Sequence, residues 1–337
     1  MIKYKSILIT GGTGSFGQAF VRNLLSKNNK LKRLVIFSRD EWKQSEMLKE
    51  FPISKYPCVR FFLGDTRDLS RLITAFKDIE LVVHAAALKQ VPVAEYNPIE
   101  FIKTNIIGAQ NIIEAAISQN VKKVIALSTD KATAPLNLYG ATKLCSDKLF
   151  IAANNYHGSN KLVFSICRYG NVMGTRGSVI PFFLKEAKKG LIPITDVNMT
   201  RFNITLQESI ELVLYAANHS MGKEVFVPKI PSFKIIDLAK SIGPNCKIKF
   251  TGIRPGEKVH EEMITEDDSL NTLENSKYYI ILPRLDKKEI KNYKLKLKAK
   301  KVKKRFSYNS LNNKFFLKIS EIQDLIKINI DSKFRPV

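Results

Sequence analysis

A doubly wound parallel α/β sheet with a smaller, discontinuous second part is the fold this 337-residue sequence predicts. Three observations predict it. Short apolar runs alternate with helical stretches through the first half, the order that covers a parallel sheet on both faces. A glycine-rich turn joins the first such run to the first helical stretch. After about residue 170 the alternation breaks into shorter segments punctuated by Pro181, Pro193, Pro228, Pro231, Pro244 and Pro255.

In order, strands are predicted at Ile7–Thr10, Leu34–Phe37, Val59–Leu63, Leu81–Ala85, Lys123–Ser128 and Val163–Arg168. These runs are too short for typical helices and rich in the apolar residues of a strand buried on both faces. Helices are predicted near Phe16–Ser26, Trp42–Glu50, Asp68–Phe76, Pro98–Ser118 and Tyr139–Tyr156. The sheet is thus assigned residues 1–170, with about 203–235 returning to it. Residues 171–202 and 236–284 are assigned to the second part, and 285–337 to a basic extension. Within that extension Lys294-Leu-Lys-Leu-Lys298 alternates with period two, which predicts an edge strand with its lysines in water.

Composition narrows the function. Apolar residues make up 45% and charged residues 26%, ordinary for a globular protein and incompatible with global disorder. No apolar run approaches the roughly 18 residues of a membrane helix. The first strand begins almost at once, leaving no room for a signal peptide, so a cytoplasmic location is expected. Cys58, Cys145, Cys167 and Cys246 form no C-x-x-C pair and have no histidines clustered near them, so neither a disulfide framework nor a metal site is expected. The net charge of +24 is the unusual figure. From Arg284 to Arg305 there are twelve Lys/Arg and two acids. Lysine dominates, whereas arginine is the usual reader of bases and phosphates. A solvated lysine-rich surface is therefore preferred to specific nucleic-acid binding.

Gly11, Gly14 and Gly17 stand in Thr10-Gly-Gly-Thr-Gly-Ser-Phe-Gly17, between strand and helix. Glycine allows a tight turn and close backbone approach, and the helix N-terminus offers N–H groups to an anion. This predicts dinucleotide binding. The second strand is followed by Ser38-Arg39-Asp40. A hydroxyl and a guanidinium suit a 2′-phosphate, with Lys43 assisting, and favour NADP over NAD. The alternative is Asp40 as ribose ligand beside an exposed Arg39. Asp65 either accepts from the adenine amino group or caps the helix starting near Leu69.

The fifth strand ends in Leu127-Ser-Thr-Asp-Lys131, and Tyr139 and Lys143 follow four residues apart. On a helix these two share a face. The ammonium is expected to lower the phenol pKa, so that the phenolate takes a hydroxyl proton during carbon oxidation. Asp130 and Lys131 belong to the same constellation or form a surface ion pair. His84 reads as a packed strand-end histidine.

These stretches, with His84-Ala-Ala-Ala-Leu-Lys89, Arg168-Tyr-Gly-Asn171, Arg176-Gly-Ser178 and Gly252-Ile-Arg-Pro-Gly-Glu-Lys258, resemble the extended short-chain dehydrogenases/reductases that act on nucleotide sugars. Asp130-Lys131, where ordinary 4,6-dehydratases carry Asp-Glu, narrows the resemblance. It points to the configuration-inverting UDP-N-acetylglucosamine 4,6-dehydratases of pseudaminic acid biosynthesis. The resemblance implies a Rossmann domain, NADP, a UDP-sugar substrate and a homo-oligomer. It extends the cofactor site to Thr13, Ser15, Phe16, Thr66, Ala85, Lys89, Thr104 and Val172. It places substrate on Lys89, Asn171, Arg176, Thr195, Arg201, Arg254 and Glu257. Thr129 would hold the 4-oxygen while Tyr139 and Lys143 serve oxidation. Lys131 would take the C5 proton, its pKa lowered by burial and by Lys143, and a protonated Asp130 would donate to the departing 6-hydroxyl. A retaining dehydratase, a 4-epimerase, or an NADP-binding scaffold with a nucleic-acid-binding tail remain the alternatives. The chain departs from the subgroup at Gln90, Ala134 and Asn203, where His, Asn and Trp are usual.

Overall fold

The computed structural model describes residues 2–27, 30–156, 162–175, 177–283, 286–302 and 305–337. The alternation of the first half folds as β1 (Ser6–Thr10), α1 (Ser15–Ser26), β2 (Arg33–Ser38), α2 (Glu41–Glu50), β3 (Val59–Leu63), α3 (Leu69–Ala75) and β4 (Leu81–His84). Then come α4 (Val91–Tyr96), α5 (Pro98–Ile102), a π turn over Lys103–Ile107, α6 (Gly108–Ser118), β5 (Lys123–Thr129), a 3₁₀ turn over Asp130–Ala132, α7 (Leu138–Ala153) and β6 (Val163–Tyr169). Strands β1 to β6 are mutually parallel, in the order β6-β5-β4-β1-β2-β3. The order reverses between β1 and β4, and a crevice opens there at the strands' carboxyl ends. Pattern and structure agree because every residue of β1 and β4 is buried, so neither strand alternates in polarity.

The chain continues through β7 (Asn171–Val172), α8 (Val179–Ala187), β8 (Leu191–Ile194), β9 (Thr200–Ile204), α9 (Leu206–His219), β10 (Val225–Pro228), β11 (Ser232–Lys234), α10 (Ile235–Ile242) and β12 (Lys247–Phe250). It ends with β13 (Glu262–Ile264), α11 (Glu266–Ser269), β14 (Thr272–Glu274), β15 (Tyr278–Ile281), α12 (Lys287–Leu297), β16 (Lys300–Lys301), β17 (Tyr308–Asn309) and α13 (Ile319–Asn329). β10 joins β6 in parallel, and β15, β14 and β16 extend the same sheet antiparallel. The main sheet therefore recruits strands from 236–284 and from 285–337, stretches that the sequence pattern leaves outside it. Three smaller sheets, β11-β9-β7, β12-β8 and β13-β17, build the second part. A second apolar core fills it, with Phe183, Ile192, Leu238 and Ile242 from α8, β8 and α10, and Ile322 and Ile326 from α13.

One element differs in kind. Lys294–Lys298 is not an edge strand: it forms the end of α12 and its C-cap. Asp286 and Glu289 close a capping box at the start of α12, and Tyr293 and Leu297, four apart, are buried on one face. That pair sets a helical period, and lysines are good helix formers. The two-residue alternation reflects lysines on both sides of one buried leucine. Among the described residues no helix is long and apolar enough to cross a membrane, and no His/Cys/Asp/Glu cluster suits a metal ion.

Candidate active site

The glycine turn sits at the switch point. Gly11 has φ +65°, and a Cβ there would stand 2.9 Å from the Ala86 backbone nitrogen, so only glycine lets β1 turn this close to the loop after β4. Gly14 caps α1 without a side-chain bond, and no acid occupies the first turn. The N–H groups of Ser15 and Phe16 at the helix start have no carboxylate competing for them. Thr10 Oγ1 lies 2.8 Å from His84 Nδ1 and receives the N–H of Ala85 and of Ala86 (both 3.2 Å), locking β1 to the end of β4. His84 is fully buried and is held near neutrality: burial, and then the Lys143 charge, pull its pKa down to about 3.

A cavity of ≈ 510 Å³ opens over this turn. Gly11, Thr13, Ser38, Arg39, Asp40, Lys43, Thr66 and Thr104 line it, together with Phe37, Gly64, Ala86 and Ala87, which the sequence reading does not single out. Arg39 reaches Asp65 at 3.4 Å. Gln44 donates to Ser38 Oγ (3.0 Å), leaving the Ser38 hydroxyl proton available. Asp40 caps α2 through the Lys43 N–H and pairs with the Lys43 ammonium. Asp65 is not the cap of α3: Asp68 is, accepting from the Arg71 N–H at 2.9 Å. Asp65 instead is bound by Arg67 and Arg39, and its pKa lies below the usual value because those contacts outweigh burial. The π turn carries Thr104, whose buried hydroxyl lacks a hydrogen-bond partner, and Asn105, which bonds both backbone groups of Leu88 and the Thr142 hydroxyl. A π turn of this kind re-aims side chains at functional sites. The glycine cradle, the open helix N-terminus and the orphaned Thr104 hydroxyl fit a dinucleotide.

The second cavity, ≈ 600 Å³, lies beside Lys131. Lys89, Asn171, Thr195, Arg201, Arg254 and Glu257 all line it. Lys89, which the resemblance places in both sites, lines this one and is absent from the wall of the other. Val172 pairs with Ile204 in the small sheet. Arg201 is buried, its guanidinium donating to the carbonyls of Thr200, Lys258 and Val259. Arg254 is exposed and meets Glu257 at 3.7 Å. Arg176 lies outside the described residues. The wall also includes Gln90, Ser178, Phe182, Lys258 and Glu261. The Ser178 hydroxyl and one Glu261 oxygen are buried without partners.

Lys131 and Asn137 bring the end of β5 and the start of α7 to the wall of the second cavity. Gly140 makes this possible: a Cβ there would lie 2.2 Å from the Lys131 carbonyl oxygen, so glycine lets α7 press onto the Asp130–Ala132 turn. Asn137 caps α7 by accepting from the Gly140 N–H (2.8 Å) and donates to the Gly256 carbonyl (2.7 Å). Thr129 donates to Asp130 Oδ1 at 3.0 Å, and its hydroxyl also bonds Tyr139. Lys131 Nζ contacts Asp130 Oδ1 (3.1 Å), Glu261 Oε1 (3.0 Å) and Asn171 Oδ1 (3.4 Å). Asp130 is 0% exposed, which excludes the surface ion pair.

Two electrostatic expectations are corrected. Lys131 is not lowered towards neutrality. Burial acts in that direction, but Asp130 and Glu261 together outweigh it and hold the ammonium above its ordinary value. The Tyr139 phenol is not lowered either: burial pushes it up to about 12, and the positive charge opposing that comes from Lys131. Lys143 is itself lowered by burial, against the pull of Asp147. Asp130 is raised, chiefly by burial and against the pull of the Lys131 charge, which favours its acid form relative to an exposed carboxyl. Glu261 has no motif signal. Its partners Lys131 and Arg201 are distant in sequence, and only the folded chain brings them together.

A doubly wound sheet with a cavity over the glycine turn at its switch point, a Tyr-x-x-x-Lys helix and a second cavity at the start of that helix defines the class as an extended short-chain dehydrogenase/reductase. More particularly, the chain belongs to the family described as polysaccharide biosynthesis protein, whose model matches residues 7–283. It is 52% identical to a UDP-N-acetylglucosamine 4,6-dehydratase (inverting) from Campylobacter jejuni, over 97% of this chain and 98% of that protein. It is 40% identical to a UDP-glucose 4-epimerase from Rickettsia canadensis, over 96% and 95% of the two chains. The crystal structure of Pen from Bacillus thuringiensis superposes with a TM-score of 0.86 at 37% identity, covering 98% of both chains.

Proposed function

We propose that the chain is an NADP-dependent UDP-N-acetylglucosamine 4,6-dehydratase that inverts C5 and forms a UDP-2-acetamido-2,6-dideoxy-4-keto-hexose of L-arabino configuration. Such a product serves pseudaminic acid-type sugars. The observation that carries the reading is the ion pair of buried Asp130 with Lys131, whose amine reaches the wall of the cavity that also carries Asn171, Arg201 and Arg254. The similarity to the Campylobacter jejuni protein supports it.

When bound, the dinucleotide supplies the oxidant at C4 and the reductant at C6. Tyr139, once ionised, takes the 4-hydroxyl proton, with Thr129 bonded to the same oxygen and Lys143 one helical turn on in α7. Substrate must bind in the cavity lined by Asn171, Arg201 and Arg254, whose donors suit a diphosphate. The 4-ketone acidifies C5–H, and Lys131, once neutral, takes that proton. Asp130, whose acid form is favoured by burial, donates in that form to the leaving 6-hydroxyl, so water departs and C5–C6 becomes unsaturated. Return of a proton to the opposite face of C5 gives inversion. Ser38 and Arg39 support NADP over NAD, because the ribose end of the cavity offers a hydroxyl and a guanidinium while Asp40 is engaged as a helix cap. The working assembly is a cytoplasmic homo-oligomer, and the lysine-rich surface has no specific nucleic-acid partner.

The 4-epimerase reading is the runner-up, since a relative carries that name. An epimerase returns the reductant to C4 and makes no use of an amine at C5, which favours the dehydratase. Incubating the NADP-loaded protein with UDP-N-acetylglucosamine and following the sugar by NMR tests the choice. A 6-methyl signal with loss of the 6-hydroxymethyl is expected; a 4-epimer with its 6-hydroxyl intact overturns it.

A further inference from the structure

Glu261 belongs to none of the sequence motifs, yet it is only 1% exposed and lies against the amine that elimination needs. It immediately precedes β13. Its N–H donates to Ser310 Oγ (2.9 Å) and its carbonyl accepts from the Ser310 N–H (2.7 Å), so the C-terminal chain fixes its backbone. Oε1 meets Lys131 Nζ at 3.0 Å and Arg201 Nε at 3.8 Å, while Oε2 has no hydrogen-bond partner. An ammonium has three donors. Those of Lys131 have three acceptors within reach: Asp130, Asn171 and Glu261. The amine is gripped from its own turn, from β7 and from the approach to β13.

We propose that Glu261 is a positioning residue for the elimination half of the reaction, fixing the Lys131 amine beside Asp130 at the cavity wall and governing how readily that amine releases a proton to become a base. The proposal rests on the dehydratase reading. The charges facing Lys131 are Asp130 on its own turn, Glu261, Arg201 from β9 and Lys89 from the loop after β4, with the Tyr139 phenol from α7. The two carboxylates dominate the two cations, and the ammonium is favoured. Removing the Glu261 charge therefore moves Lys131 towards neutrality. Arg201 does not depend on Glu261 for its place, because three backbone carbonyls hold its guanidinium.

The test compares Glu261→Gln and Glu261→Asp with wild type in the full, NADP-loaded chain with UDP-N-acetylglucosamine. First-turnover cofactor reduction reads the oxidation half, and solvent deuterium entering C5 reads the elimination half. Glu261→Gln is expected to reduce cofactor within about twofold of wild type, while the limiting rate of C5 exchange falls about 10–100-fold, less than the roughly 10²–10⁴ of losing the acid–base group itself. The acid limb of its pH–rate profile should move to lower pH by roughly one unit, because the base needs less alkali to become neutral. Glu261→Asp keeps the charge but shortens the reach, so its acid limb should stay at the wild-type position while C5 exchange drops. An unmoved limb in Glu261→Gln, or equal loss of both halves in either variant, overturns the proposal. Should Glu261→Gln fail to fold, selective loss of C5 exchange in Glu261→Asp supports it. A wild-type enzyme that makes no 4-keto-6-deoxy sugar overturns the dehydratase reading instead, whatever the Glu261 variants do.

Discussion

Asp130 and Lys131 are neighbours in sequence, but their chemistry comes from where β5 ends. Burial raises the acid, while Glu261 and the ionised form of Asp130 raise the base, so the two groups titrate together and the protonation of one changes that of the other. Lys131→Ala should stall after oxidation, accumulating reduced cofactor or 4-keto sugar with little deuterium at C5. Tyr139→Phe should fail earlier, with little cofactor reduction; each loss is expected at about 10²–10⁴ in rate. Stopped-flow absorbance and NMR separate the two, and a Lys131→Ala enzyme exchanging C5 at the wild-type rate would contradict the assignment. At the other cavity, Arg39→Glu should weaken NADP binding more than NAD binding in titration calorimetry, and equal losses would contradict a 2′-phosphate contact there. His84 has a different role. Its folded pKa, about 3, lies below the ordinary 6.5, so between those values the unfolded chain binds a proton the folded chain refuses. Its contribution is complete above pH 6.5 and is lost as pH falls, at about 1.4 kcal/mol per pH unit. Urea midpoints from pH 7 to 5 should therefore fall more steeply for wild type than for His84→Gln; parallel slopes would contradict a buried neutral histidine.

At the scale of elements, what could be read in the sequence follows burial. β1, β2, β4 and β5 consist almost wholly of buried residues, and each shows as a short apolar run. The glycine turn and the Tyr139–Lys143 helix were legible because their spacing is local. The break in the long helix predicted over Pro98–Ser118 was not, since the π turn is set by Asn105 reaching Leu88 and Thr142. The same limit hid how the short hairpin of β14 and β15 joins the sheet, since its other partners, β10 and β16, are remote in sequence. It also hid α12, where alternating lysines imitate a strand and only Tyr293 and Leu297 reveal the buried face. Ala134 shows a local departure with a cost. It adopts φ +43°, a region that disfavours alanine and tolerates asparagine, the residue usual in the subgroup it resembles.

At the scale of the molecule, the C-terminal chain is structural. Tyr308 exchanges hydrogen bonds with both backbone groups of Ile230, Ser310 holds Glu261, and Ile322 and Ile326 fill the second core. A chain ending after residue 317 should lose that core's α13 packing. Each deleted large core side chain typically costs 2–5 kcal/mol, so the truncated protein should show a clearly lower Tm and weakened UDP binding by calorimetry. Unchanged Tm and affinity would mean the tail is an appendage. The whole architecture, from switch point to tail, converges on one carbon of the sugar. Running the reaction with UDP-N-acetylglucosamine in D₂O and reading C5 of the product by NMR addresses that carbon directly. Deuterium at C5 with L-arabino configuration in a 4-keto-6-deoxy sugar is the expected result; a product with C5 protium and unchanged configuration would contradict a proton transfer through Lys131.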